Sequence, residues 1–232
     1  MIYFLLFLTI IIIIIKNIYE LHDYNLDAIV IELQNSNPIM IQEYYKQKSP
    51  LLIHNTKPIN ETIKMLVLKN PGYIINDHGK NIAFDVFNND KNTNINLYKN
   101  KNICKDLQID QLLKEYEKIF CNELNCNHEY SLSLYKGINH LTLTQNKRNL
   151  LLLKNIENKS NVYLFNPKHK NDILNKKNIE IKKWAHKIVL ETNSILYIPP
   201  DWFYFYETNE NPTIISTIEC DNYFTYLYNL IR

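Results

Sequence analysis

From Glu129 to Glu219 the chain is a succession of short β-prone runs separated by turn residues, and no other feature restricts its fold as much. The runs cover 130–135, 140–144, 150–153, 162–165, 188–191, 195–198, 203–206 and 213–219. They are rich in Ile, Leu, Val, Tyr, Phe and Thr, the residues that fit a pleated, half-buried surface. Many short strands at this spacing predict an antiparallel sandwich or barrel.

The preceding part mixes element types. Residues 28–33 predict a strand with β-branched side chains. Asn37-Pro38 predicts a helix start, with Asn as cap and Pro in the first turn, and a short helix over 39–46. Residues 50–54 (PLLIH) predict a buried strand. A helix over 60–68 closes at Asn70-Pro71-Gly72, and 82–87 predicts a further strand. Residues 88–102, dominated by Asn, Asp and Lys, predict a long polar loop. The strongest helix covers 110–124, with Leu112, Leu113, Tyr116, Ile119, Phe120 and Leu124 on one core-facing side. No internal repeat and no linker divides the chain. The expected organisation is an N-terminal segment over 1–20 and one domain over 21–232: a helix-and-loop region over 21–128, then a strand-rich region over 129–232.

The N-terminal segment has no charged side chain from Met1 to Ile15, and Thr9 is its one polar residue. About 15 helical residues reach roughly 22 Å, short of a hydrocarbon core of about 30 Å. Continuing through Ile18 and Tyr19, with Lys16 snorkelling, comes closer. Three readings stay open: an uncleaved signal-anchor, a cleaved signal peptide, and a buried terminal element. A basic leader and an A-x-A-like site are both missing, which speaks against cleavage. All-round hydrophobicity speaks against burial in a surface element. The expectation is a single-pass membrane protein held through residues 1–19, in an endoplasmic-reticulum or virion membrane. Lys16 alone does not set its orientation.

The net charge of +2 and the scattering of Lys among Asn and Ile offer no basic face, so nucleic acid is not an expected partner. Three glycines in 232 residues leave little room for phosphate-cradling loops. Asn outnumbers Lys and Arg together, so the N-x-S/T matches at Asn60 and Asn158 carry little weight. Cys104, Cys121, Cys126 and Cys220 are compatible with bridges without requiring them.

The segment Ser194 to Glu207, SILYIPPDWFYFYE, resembles the late strand of JmjC and cupin-like 2-oxoglutarate oxygenases, whose pattern is close to G-D-x-L-Y-I-P-P-x-W-W-H. Leu196, Tyr197, Ile198, Pro199, Pro200 and Trp202 match it. NLLLL from Asn149 and VYLFNP ending at Pro167 resemble the family's N-L-L-x-x-I and L-F-x-P strands. YYKQKSPLLIHNT, from Tyr44 to Thr56, is similar to the family's lead-in helix and P-V-V-I strand. The resemblance covers 28–219, loosely before Glu129. It implies a mostly β fold with flanking helices, a double-stranded β-helix (cupin or jelly-roll) barrel.

It also implies where iron would sit. The family holds Fe(II) with two His and one carboxylate, leaving positions for 2-oxoglutarate and O₂. Counted from Asn149, the H-x-D pair falls on Leu143 and Gln145, and the third ligand, after Trp202-Phe203, falls on Tyr204. An aliphatic chain, an amide and a phenol do not hold Fe(II). The co-substrate lysine counts to Asn158 from one side and Ser160 from the other, with Lys159 between them. Asn149, Lys159, Tyr197 and Trp202 would line the pocket. The expectation is a degenerate, non-catalytic domain with no metal and no cofactor, serving binding or scaffolding toward a protein or peptide partner. Fe(II) and 2-oxoglutarate enter only under the alternative, an active protein hydroxylase with other ligands. A membrane or virion structural protein is the third reading.

Elsewhere, no histidine pair has H-x-H or H-x-x-x-H spacing. His140 sits three residues from the Leu143 position, on the wrong strand face for a rebuilt iron site. Cys121-x₄-Cys126-x-His128, with Cys104 upstream, has irregular spacing for zinc.

Overall fold

The computed structural model describes residues 2–22, 25, 27–35, 37–56, 65, 68–70, 72–77, 80–83, 95–120, 125–137, 142–174, 176–208 and 213–231. Helix α1 (Ile2–His22) leads to β1 (Ile31–Leu33), α2 (Pro38–Lys46) and β2 (Leu51–Ile53). A hairpin follows, β3 (Ile74–Asp77) and β4 (Lys80–Ala83), then β5 (Ile95–Asn100), α3 (Lys101–Asp106) and α4 (Ile109–Phe120). The strand-rich part comprises β6 (Asn125–Lys136), β7 (Thr144–Gln145), β8 (Leu150–Glu157), β9 (Ser160–Phe165), β10 (His186–Leu190), β11 (Ile195–Ile198), β12 (Phe203–Thr208) and β13 (Thr213–Asn222). Single-turn helices occur between β9 and β10, and α5 (Tyr223–Ile231) follows β13.

Asparagine caps start several of these helices, α2 and α3 among them. Asn37 Oδ1 accepts from the Ile39 amide at 3.0 Å, with Pro38 in the first turn, as the sequence predicts. Asn100 Oδ1 accepts from the Ile103 amide at 2.9 Å and turns β5 directly into α3.

Among the described residues the strands form a seven-stranded sheet, β1-β2-β11-β8-β13-β6-β5, a four-stranded sheet, β10-β9-β12-β7, and the separate β3-β4 hairpin. All pairs are antiparallel except β1 with β2. From β6 to β13 the pairing is a mirror about the β9–β10 connection. β9 pairs with β10, β8 with β11, β7 with β12, and β6 with β13.

Three apolar clusters define the layers. Leu151, Leu153, Leu196, Ile198 and Ile215 of the large sheet meet Val162, Leu164, Ile188, Leu190, Tyr204 and Tyr206 of the small sheet. On the other face of the large sheet, Leu150, Leu152, Ile195, Tyr197 and Ile218 pack under Ile41 of α2, Ile103 of α3 and Leu113, Tyr116 and Phe120 of α4. The outer face of the small sheet carries Tyr163, Phe165, Phe203 and Phe205, covered by Ile173 and Ile181 of the single-turn helices. Strand alternation distributes these side chains: odd and even positions of β8 feed different clusters.

Several expectations change here. Helix and strand occupy comparable shares of the chain, so the fold is mixed α and β with a large mixed sheet rather than mostly β. The sheets do not close into a barrel. The expected loop over 88–102 holds the edge strand β5 and the start of α3. An edge strand needs few apolar side chains, and Leu97 is buried while Tyr98 is exposed. The expected helix over 60–68 and strand end over 84–87 lie largely outside the described residues. α5, with the sequence YFTYLYNLI, had no counterpart in the expectation because aromatic runs favour strands.

Candidate functional site

β11 and β12 are joined by the Pro199-Pro200-Asp201-Trp202 turn that carries the resemblance. Asp201 has φ 64°, and the Trp202 amide reaches back to the Pro199 carbonyl at 3.4 Å. A proline followed by a residue at positive φ is the type II pattern. Asn146 fixes this turn from β7's end: its side-chain amide donates to the carbonyls of Ile198 and Pro199 at 2.8 and 3.0 Å. The Asn146 amide also donates to the Trp202 carbonyl at 2.8 Å.

The turn delivers Trp202 and Tyr204 into the space between the sheets, where both are buried. Tyr206 and Tyr135 join them, with 2.8 Å between the two hydroxyls. Leu143 and Gln145 do not face this space. The antiparallel register sets Gln145 opposite Phe203 and Thr144 opposite Tyr204. Phe203 belongs to the outer cluster of the small sheet, and Leu143 packs against that same cluster. Leu143 and Gln145 are therefore on one face and Tyr204 on the other. Gln145 donates to Asp201 Oδ1 at 3.0 Å. Thr144 is the β7 residue that shares a face with Tyr204, and one residue of register separates the two arrangements.

The other expected pocket residues are dispersed. Asn149 donates to the Tyr45 hydroxyl at 3.2 Å, and the Tyr45 ring lies 5.1 Å from that of Tyr197, on the helix side of the large sheet. Burial raises the Tyr197 phenol well above its usual range. Lys159 is exposed at the β8–β9 turn and pairs with Glu191 at 3.2 Å. His140 lies outside the described residues.

A group of metal-capable side chains does converge, on the helix side of the large sheet. Helix α4 buries Leu113, Tyr116, Glu117 and Phe120 toward the strands. That spacing is one helical face, and Glu117 is its single charged member. Beneath it, β13 and β6 pair Cys220 with His128, so both side chains rise toward α4. The next step of the ladder is irregular, with Asp221 opposite Cys126 and Asn127 at φ 47°. Such a bulge re-aims neighbouring side chains.

The Cys220 thiol is 2.5 Å from Glu117 Oε1 and 3.5 Å from His128 Nδ1. His128 Nδ1 also contacts Glu117 Oε1, and the Tyr130 hydroxyl donates to Glu117 Oε2. Burial alone would raise the Glu117 carboxyl. The hydrogen bonds from Cys220, Tyr130 and His128 outweigh it and hold the group below the usual carboxylate range. One ligand atom from each of Glu117, His128 and Cys220 lies within 4.8 Å of the others. Glu117 and Cys220 are buried, while the His128 side chain is 40% exposed.

In the sequence, Cys121, Cys126 and His128 with Cys104 form a grouping whose spacing is irregular for zinc. Of these only His128 enters the cluster. Cys104 is a buried residue of α3, Cys126 is opposite Asp221, and Cys121 lies outside the described residues. Among the described residues Cys104, Cys126 and Cys220 form no disulfide. The readable signal for Glu117 was its place on the apolar stripe of α4, where a carboxylate needs a buried partner.

At the N-terminus, side chains of α1 from Tyr3 to Ile15 are exposed almost throughout. α5 packs beside α1 and exposes Tyr223, Tyr226, Leu227 and Leu230. Among the described residues no helix is both long and apolar enough to cross a membrane. The charge-free part of α1 covers about 21 Å at 1.5 Å per residue.

Compared with known proteins, the chain matches no family model, and no curated protein is similar to it.

Proposed function

We propose that this chain is a membrane-anchored jelly-roll module, similar to the JmjC and cupin-like oxygenases, that acts by binding or scaffolding and does not turn over 2-oxoglutarate. Two lines support the jelly-roll reading. The mirror pairing of β6–β13 describes one antiparallel ribbon wound into two sheets. The Y-I-P-P-x-W string falls on the turn between two of those strands.

The observation that carries the functional reading is the filling of the inter-sheet space. Tyr135, Trp202, Tyr204 and Tyr206 are each at most 1% exposed there. Thr144 stands opposite Tyr204. Phenols, an indole and a hydroxyl do not hold Fe(II), and the His186 imidazole, 6.2 Å from the Trp202 ring, stands at an exposed position at the edge of this space. A domain of this kind retains the outer surfaces for a protein or peptide partner.

Anchoring rests on the exposed apolar side chains of α1 and of α5 beside it. Residues 1–19 enter the bilayer, with Lys16 reaching back to the headgroups. α5 then lies at the interface, where Tyr rings are favoured.

The test is an anaerobic incubation of the detergent-purified chain with Fe(II) and 2-oxoglutarate, followed by exposure to O₂ and assay for succinate. No succinate above the protein-free control is expected. Stoichiometric succinate formation overturns the non-catalytic reading. In parallel, the full chain should remain in the membrane pellet after alkaline carbonate. Release into the supernatant, or a mature chain starting near Tyr19, overturns the anchor.

A further inference from the structure

We infer that Glu117, His128 and Cys220 form a binding site for a divalent metal ion of the zinc class, which ties helix α4 to strands β6 and β13 of the large sheet. The inference is independent of the jelly-roll reading, because the cluster sits on the opposite face of that sheet from the aromatic inter-sheet core.

The ligands come from three elements that are far apart in the chain: α4, β6 and β13. The donor set is one carboxylate oxygen, one imidazole nitrogen and one thiol sulfur. This mixed set suits Zn²⁺, which binds all three types tetrahedrally. Hard cations such as Ca²⁺ and Mg²⁺ take oxygen ligands instead.

The spacing fits. Zn–S near 2.3 Å and Zn–N near 2.0 Å at a tetrahedral angle set S and N about 3.5 Å apart. Cys220 Sγ and His128 Nδ1 are 3.5 Å apart. Glu117 Oε1 closes on both, so coordination requires its carboxylate to draw back by about 1 Å to its own ligand distance. The Tyr130 hydroxyl on Glu117 Oε2 then serves as an outer partner that orients the ligand.

Charge also balances. On binding, the Cys220 S–H bond breaks and its proton passes to solvent, as metal–thiolate bonding requires. His128 binds through the Nδ1 lone pair and keeps its proton on Nε2. Glu117 and the Cys220 thiolate together carry two negative charges, which neutralise a dication. The ion therefore adds no net charge to a buried site, where an uncompensated charge is costly. Three protein ligands leave the fourth position to water, on the side where His128 is open to solvent.

The test uses the full chain in detergent, reduced, stripped with a chelator and titrated with Co²⁺ as a coloured substitute. Uptake of one Co²⁺ per chain is expected, with a thiolate-to-cobalt band in the near ultraviolet and the intense visible bands of a tetrahedral site. Cys220→Ser should abolish the ultraviolet band, and Cys126→Ser should leave it unchanged. Tyr130→Phe should weaken Co²⁺ binding about tenfold. Should Cys220→Ser fail to fold by circular dichroism, His128→Gln, at a partly exposed position, replaces it and must weaken binding at least about tenfold. Absence of saturable uptake, a thiolate band that persists in folded Cys220→Ser, or a band lost in Cys126→Ser each overturns the assignment. So does unchanged affinity in His128→Gln.

Discussion

The Lys154 ammonium on β8 donates a 2.6 Å hydrogen bond to Thr56 Oγ1, 98 residues away, and lies 4.2 Å from the centre of the Tyr116 ring. Lys154 is 1% exposed, and burial pushes its pKa down to about 7. Thr56 in turn donates to the Asn193 carbonyl, so the lysine is tied to the connection between β10 and β11.

A folded-state pKa below the unfolded value means that the unfolded chain binds more protons between pH 7 and about 10.4. The cost of burying Lys154 is complete below pH 7 and disappears as pH rises toward 10.4. Its contribution to stability should therefore rise by roughly 3 kcal/mol between pH 7 and pH 9.5. In Lys154→Met this increment is absent. Urea unfolding of both chains at the two pH values measures the difference. Equal increments in the two proteins would show that the lysine is charged throughout.

The Tyr135 and Tyr206 hydroxyls meet at 2.8 Å inside the inter-sheet cluster. Removing the Tyr135 hydroxyl strands that of Tyr206, at about 1–3 kcal/mol, while removing the Tyr206 hydroxyl leaves Tyr135 with Ser133 alone; removing both leaves no orphan. Tyr135→Phe and Tyr206→Phe should each lower the melting temperature. The double variant should lie well above the sum of the two losses, and a thermal double-mutant cycle checks it. Strict additivity would mean that the two hydroxyls do not depend on each other.

Arg148 forks between Asp221, at 2.5 Å, and Glu129, at 3.2 Å. The Asp221 side chain is fully buried. Arg148→Met leaves that carboxylate without its cation and should cost about 3–5 kcal/mol. Adding Asp221→Asn should recover part of the loss. Chemical denaturation of the three proteins is the measurement, and an unaltered midpoint in Arg148→Met would contradict the pairing.

The strands were legible where the local pattern agreed with the final burial. β11 occupies 195–198 as expected, and β12 and β13 start at Phe203 and Thr213 as expected. Asn37 was legible as a cap because its chemistry is local. β5 was not legible, since an edge strand that buries Leu97 but exposes Tyr98, in an Asn- and Lys-rich run, reads as polar loop. The face of β7 was also hidden. Counting from Asn149 gives a sequence offset, but which residue opposes Tyr204 depends on cross-strand pairing, and that selected Thr144. Glu117, His128 and Cys220 are unremarkable one by one. Their meeting depends on the β6–β13 register and on which face α4 turns inward, both of which are long-range properties.

The order in which the ribosome delivers the strands has a cost built into the mirrored ribbon. β13 sits between β8 and β6 in the large sheet, yet it is synthesised after every other described strand. Until residue 222 emerges, β8 and β6 each present a bare edge of unpaired backbone amides and carbonyls. Nascent chains with such edges are prone to join one another. A product terminated before Thr213 would thus carry two sticky flanks instead of a smaller version of the fold.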